Sequence, residues 1–317
     1  MLESVWSTLS YGRRGLDRGT RLVNRYRSPG TQIVFDVDSA NELIGRELLG
    51  PNPVFVGRVG ATEQAVLRRW WWLRSGSVET RPSWLDRIGY GPVLRYDIKS
   101  LSGVFPTSGA DLYRFGKTYV AALKDLDVLG VWGNRGEQRV ISTANDLNAL
   151  VPLTSLAPLE RDDSWTRVLE GRHVLVVHPF TDSISRQLSR LDDVWPDRRV
   201  PLADYELLQA PQTLGGTGRW PSWSAALNEC SKKVTESGAD IALIGAGAYG
   251  LPLAHAAYKS GKKTVLVGGA LQLFFGIRGT RWDSIPAIQM LSNDTWVRPA
   301  ETERPPGASK LERGAYW

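Results

Sequence analysis

Short apolar runs rich in β-branched residues recur along the chain: QIVF (32–35), VFVG (54–57), VLGVW (128–132), HVLVV (173–177), IALIG (241–245) and TVLVG (264–268). Each is too short for a helix, and most lead into a stretch compatible with one. Unbroken apolar runs fit strands covered on both faces. They predict an α/β, Rossmann-like fold with a largely parallel sheet and flanking helices. Boundaries fall where this pattern fades. Residues 1–30 carry Arg13, Arg14, Arg18, Arg21, Arg25 and Arg27 against Glu3 and Asp17, with Gly12, Gly15 and Gly19 weakening any helix, and read as a basic N-terminal arm. Residues 31–285 form the α/β domain, with a sub-boundary near 155–170. Residues 286–317, including RPAETERPPGASKLERG, mix proline, glycine and charge without period and predict a flexible C-terminal tail.

Three strand ends carry candidate chemistry. After IALIG the loop spells G-x-G-x-x-G with Gly245, Gly247 and Gly250, with Tyr249 inside it and a helix after it. Gly245 would make the tight turn, Gly247 would let backbone approach a diphosphate, and Gly250 would let helix pack on strand. A nicotinamide cofactor also needs an acid at the end of the next strand, where this chain has Gly268 and Gly269. The loop therefore suits a phosphate or diphosphate, with a purely structural turn as the alternative. After HVLVV comes His178, placed to bind phosphate, act as a base or tie down its own loop; His173 and His255 are less well placed. In VFVGRVGATEQAVL (54–67), Arg58 and Glu63 set a cation and a carboxylate together at a strand end. Glu63 serves there as a helix-stabilising acid or as a group for a metal, a sugar hydroxyl or an acceptor proton. Asp36-x-Asp38 has a spacing that can hold a metal–diphosphate, but Ser39-x-x-Glu42 behind it forms a capping box and marks a helix start.

Composition narrows the partners. The 317 residues carry 39 Lys and Arg against 33 acids, a net charge of +6 that favours an anionic partner. One cysteine, Cys230, leaves no intramolecular disulfide and fits a reducing, cytoplasmic setting. No run reaches the ~20 apolar residues that span a bilayer, and the N-terminus lacks a signal-peptide core. In LRRWWWLR (67–74) three consecutive tryptophans cover too wide a helical arc to face one core. At least one should stand near the surface, where Trp beside Arg suits an anionic membrane or a sugar platform.

Taken in order, GRVGATE (57–63), SGVFP (102–106), DVLGVW with GE (127–137), VLVVHPF (174–180) and the long block from Asp240 to Asp283 resemble the GT-D-like glycosyltransferase family, associated with bacterial surface polysaccharide synthesis. The resemblance spans about residues 33–283. It implies transfer of a sugar from a nucleoside diphosphate, UDP-linked in the leading reading, to a glycan or lipid-linked acceptor at the inner face of the plasma membrane, with no nucleic acid involved. In that family the first block reads Arg, two residues, then Asp-x-Glu, whose acids engage Mn or Mg. Here Arg58 and Glu63 match and Ala61 replaces the Asp, leaving Glu63 as the only family metal ligand. Expected diphosphate contacts are Arg58, Gly245, Gly247, Tyr249, Gly250, Arg278 and Arg281, and expected catalytic groups are Glu63, His178 and Asp283. An NAD(P)-dependent oxidoreductase and a catalytically silent nucleotide-sugar or glycan-binding protein are the competing readings.

Overall fold

The computed structural model describes residues 26, 30–74, 90–134, 136–157, 159, 164–196, 200–305, 308 and 314–317. In chain order the elements are β1 (Gln32–Ile33), α1 (Val37–Leu49), β2 (Phe55–Arg58), α2 (Ala61–Arg74), α3 (Pro92–Ser102), α4 (Gly109–Lys124), β3 (Val128–Val131), α5 (Glu137–Ile141) and β4 (Ala149–Pro152). There follow β5 (His173–His178), α6 (Thr181–Leu188), α7 (Leu191–Val194), β6 (Asp204–Gln209), α8 (Trp223–Glu236), β7 (Ile241–Ile244), α9 (Gly250–Lys259), β8 (Lys263–Leu266), α10 (Leu271–Phe274) and α11 (Pro286–Leu291). The eight strands form one sheet in the order β1-β4-β3-β2-β8-β7-β5-β6, and all the pairings are parallel. The α/β, Rossmann-like architecture is as the apolar runs predict.

The alternation of strand side chains builds two cores. Phe55, Leu129, Leu175, Val177, Ala242 and Ile244 pack toward α2, α4, α8 and α9. Their neighbours Val56, Val128, Val174, Val176, Ile241 and Leu243 pack toward α1 and α10. Each of the Val, Leu, Ile and Phe side chains among them contributes about 1.5–3 kcal/mol through burial. Three of the surrounding helices, α1, α4 and α8, start on local side-chain caps from Asp36, Ser108 and Ser222. Asp36, rather than Ser39, is the cap of α1 and accepts from Ser39 N–H at 2.7 Å. Asp36 thus belongs to the helix entry, as the sequence reading has it, and the cap is a single side-chain bond at Asp36 in place of the expected Ser39-x-x-Glu42 box.

Two strands escape the apolar-run pattern. β4 is four residues ending in a proline, and β6, at the sheet edge, is only partly buried along its length and reads DYELLQ. The proposed sub-boundary near 155–170 lies in the connection from β4 to β5. The sheet runs continuously past it, because β2 pairs with β8 through Phe55–Thr264 and Val56–Val265. Of the basic arm the structure describes Tyr26 and Gly30, and the arginine cluster lies outside the described residues. Tyr26 is buried, and its hydroxyl donates to Glu137.

Of the flexible tail expected over 286–317, the described residues pack against the domain. α11 packs Ala287 and Ile288 inward, and Trp296 is buried with its ring 5.1 Å from that of Trp195. The Glu303 carboxylate accepts from Asp182 N–H at 2.7 Å and from the Ser183 amide and hydroxyl, capping the N-terminus of α6. Gly314–Trp317 returns to the centre of the sheet, where Arg281 N–H donates to Ala315 O at 2.9 Å and Thr280 N–H to Trp317 O at 3.1 Å. Isolated aromatic anchors and a buried carboxylate hold this segment, and neither device leaves a periodic trace in sequence. No helix among the described residues is long and apolar enough to cross a membrane.

Candidate functional site

The strands β2, β8, β7 and β5 are consecutive in the sheet, and the loops at their carboxyl ends enclose a cavity of about 260 Å³. That edge is where open parallel sheets bind ligands. Arg58, the last residue of β2, lines the cavity with its guanidinium 4.8 Å from the Trp132 ring centroid. Burial lowers its pKa, while Tyr316 and Glu63 pull it back up; the group remains a cation at physiological pH. Gly268 makes room for it. A Cβ on Gly268 would stand 3.2 Å from Arg58 Nη1, and φ is +79° there.

Glu63 sits in the first turn of α2 and is 7% exposed. Its carboxylate lies so close over Gly60 that a Cβ at that position would collide with it. Burial, seconded by the charge of Glu63, raises the pKa of Tyr119, whose hydroxyl donates to Ala248 O at 2.8 Å. Among the described residues of the cavity wall, Glu63 is the only acid and the cations are Arg58 and Arg281. Among the described residues, no three His, Cys, Asp or Glu side chains gather as a metal site. The wall offers a metal one carboxylate, Glu63, so Mg²⁺ or Mn²⁺ there would take its remaining oxygens from water and from the phosphates of a bound substrate.

The three glycines differ in what surrounds them. A Cβ on Gly245 would meet Gly268 O at 2.7 Å and His178 Cδ2 at 2.8 Å, and one on Gly250 would meet Leu266 Cδ1 at 2.7 Å. The first packs strand ends together, and the second packs α9 on β8. Gly247 differs, with φ +52° and nothing within 4 Å of its missing Cβ. It opens the 3₁₀ turn that leads into α9, where the first N–H groups lack intrahelical partners and favour an anion. Tyr249 lines the cavity, but its hydroxyl is engaged with Thr213 Oγ1 at 2.7 Å and its ring stacks on Trp223 at 5.6 Å; it is anchored rather than free to clasp a phosphate.

His178 is buried at the end of β5, and its Nδ1 accepts from Phe180 N–H at 3.1 Å. That bond fixes the neutral tautomer with the proton on Nε2. Burial drives its pKa from 6.5 to about 3. The side chain is therefore a hydrogen-bond donor to the cavity at neutral pH, and the general-base role expected for it is corrected. Of the basic and acidic residues expected from 278–283, Arg281 alone lines the cavity, its Nη1 donating to Tyr316 OH at 2.8 Å. Arg278 and Asp283 do not. Asp283 pairs instead with Arg298 at 2.5 Å, and Arg278 has a buried Nε without a hydrogen-bond partner among the described residues. The turn from Gly279 to Trp282, pinned against Gly314–Trp317, sends successive side chains apart.

Several wall residues lay outside every quoted motif, namely Tyr119, Gln212, Tyr316 and Trp317, and Gln272 lay unremarked inside the long block from Asp240 to Asp283. Trp132 had one, since it closes the strand-like run VLGVW (128–132). On α2, Trp70 is buried and its indole N–H donates to Tyr113 O, Trp71 is half-buried, and Trp72 is 54% exposed beside Arg69. At least one tryptophan thus reaches the surface, as the helical arc requires. Comparison with protein-family models, with curated proteins and with solved structures finds no match.

The buried, neutral His178 makes folding release a proton. Its folded pKa lies below its unfolded value, so its stabilising contribution is complete above pH 6.5 and is lost as pH falls toward about 3. At pH 5.0 this group should cost about 2 kcal/mol relative to pH 7.5, at ~1.4 kcal/mol per unit. His178→Asn keeps an acceptor for Phe180 N–H and should remove that increment, which urea unfolding of both proteins at the two pH values will measure.

Proposed function

We propose that the protein is a glycosyltransferase that takes a sugar from a nucleoside diphosphate, UDP in the first instance, and passes it to a hydroxyl of a glycan or lipid-linked acceptor. The observation that supports it best is the charge pattern of the cavity, in which one acid, Glu63, stands in a wall whose other charged groups are Arg58 and Arg281 beside an open glycine turn. A leaving diphosphate requires cations and N–H donors, and an acceptor hydroxyl requires a base. In this reading Arg58, Arg281 and the N–H groups at Gly247 hold the diphosphate, and His178 donates Nε2–H to it or to the sugar. The acceptor oxygen bonds to the anomeric carbon, the carbon–oxygen bond to the diphosphate breaks with its electron pair leaving on the nucleotide, and the acceptor proton passes to Glu63. The oxidoreductase reading is the weaker one. Where a ribose-binding acid would stand, the end of β8 has Gly268 with the cationic Arg58 packed on it.

Calorimetric titration with UDP and UDP-sugars tests the binding half. Gly247→Asn is the variant of choice, because Asn tolerates a positive φ and a β-branched residue does not. It should lower affinity at least tenfold with an unchanged melting temperature, and undiminished affinity would remove the loop from the site. Turnover tests the chemical half and separates an enzyme from a silent binder. Activity should survive EDTA, and Glu63→Gln should lose about 10²–10⁴-fold in kcat, while Asp36→Asn, at a helix cap, stays within about threefold. Activity abolished by EDTA and restored by manganese would contradict the metal-free assignment. The exposed Trp72 with Arg68 and Arg69 is proposed as the contact with an anionic bilayer that carries the acceptor. Flotation with vesicles containing phosphatidylglycerol at low salt should retain the protein and lose it on Trp72→Ala with both arginines changed to Glu; equal flotation of the two would refute the contact.

A further inference from the structure

Past β8 the chain turns through two glycines, and a different side chain lies on each. A Cβ on Gly268 would stand 3.2 Å from Arg58 Nη1, and a Cβ on Gly269 would stand 2.5 Å from Tyr316 Cε1. Gly268 also has a positive φ, whereas at Gly269 it is the Tyr316 ring that leaves no room for a side chain. A third glycine yields to the same residue, since a Cβ on Gly279 would stand 2.5 Å from Tyr316 C. Hydrogen bonds to its main chain hold the segment there: Thr280 Oγ1 donates to Gly314 O at 2.7 Å, and Gln272 Nε2 to Tyr316 O at 3.4 Å. The Tyr316 hydroxyl in turn accepts from Arg281 Nη1 at 2.8 Å, and the Arg281 guanidinium lies 5.6 Å from the centre of its ring. Arg58 and the Tyr316–Arg281 pair thus meet at the double glycine, in the wall of the cavity.

All three side chains are within reach of a ligand. Arg281 is exposed, and Arg58 and Tyr316 are half-buried. Among the described residues the Arg58 guanidinium meets the Trp132 ring at 4.8 Å but has no hydrogen bond and no ion pair. Arg281 acts on it as a like charge that disfavours its protonated form, so the two cations are close enough to repel. A single phosphate at Arg58 answers one of them, and a diphosphate brings a second charged group for Arg281. A long side chain standing in solvent loses part of that gain on being ordered, and a hydroxyl that already holds the guanidinium lowers the loss. We infer that Tyr316 is a positioning residue that fixes Arg281 beside Arg58, so that each guanidinium takes one phosphate and the site selects nucleoside diphosphates over monophosphates. The assignment deepens the glycosyltransferase reading above and rests on it, because the sugar donor and the leaving nucleotide both carry the two phosphates.

The test is calorimetric, uses the full chain, and compares UDP with UMP and pyrophosphate with phosphate at one ionic strength. In each pair the diphosphate should bind at least about tenfold more tightly, the worth of one charge-assisted hydrogen bond. Tyr316→Phe keeps the ring on Gly269 and removes the hydroxyl. With an unchanged melting temperature it should lower UDP affinity about fivefold while UMP stays within about twofold. Arg281→Gln should lower UDP affinity at least about tenfold, and adding Tyr316→Phe to it should cost nothing more, because the hydroxyl acts through the arginine. A tyrosine that only supports the wall gives another result: UDP and UMP weaken together, or Tyr316→Phe costs as much beside Arg281→Gln as it does alone. Either outcome overturns the positioning role, and equal binding of UDP and UMP by the unaltered protein overturns the selection. Those failures leave the proposed function standing, whereas a protein that binds neither UDP nor pyrophosphate overturns that function together with the role of Tyr316.

Discussion

Parallel strands covered on both faces leave no room for polar side chains along their length, and the rest of this molecule follows from that constraint. Val174 through Val177 are apolar because each side chain enters one core or the other, and the first hydrogen-bonding side chain after them is His178, where the strand stops. β2 likewise ends on Arg58, β7 runs out into Gly245, and β8 gives way to Gly268. Since β2, β8, β7 and β5 are neighbours, four separate strand endings deliver their polar groups to one place. The glycines let them come so close. With side chains at Gly245 and Gly268, the turns after β7 and β8 could not share the space that His178 and Arg58 occupy.

The same constraint explains what could be read in the sequence. Strands buried on both faces are continuous apolar runs, so six of the eight were visible, and the residues directly after them, Arg58, His178 and the Gly245–Gly250 loop, marked the edge that lines the cavity. Glu63 was visible because a short loop ties it to Arg58. β6 was not, because an edge strand half open to solvent keeps the polar residues of DYELLQ. The last thirty residues were unreadable for a different reason. Trp296, Glu303 and Trp317 are single anchors separated by loop, and each is held by partners more than eighty residues away in sequence, such as Phe180, Ser183 and Val194. Proximity in sequence also misled: Arg278, Arg281 and Asp283 lie within one turn, yet the chain's path sends only Arg281 to the cavity. His178 was located correctly by its strand end, but its protonation depends on a backbone N–H two residues on and on burial, neither of which a sequence displays.

Charge balance at the cavity connects the glycosyltransferase proposal to the one departure from the family pattern. With an aspartate at position 61, the two carboxylates would cancel Arg58 and Arg281, and the wall would need a divalent cation before it could attract a diphosphate. With Ala61 the wall is left with two arginines and one carboxylate, already positive without a metal. Under the glycosyltransferase proposal the single acid, whose carboxylate is buried over Gly60, is then available to receive the acceptor proton. Under that proposal, Ala61 in place of an aspartate and independence of a metal are one electrostatic effect: a second acid would neutralise the field that the arginines supply, and a metal would compete with the acceptor proton for Glu63.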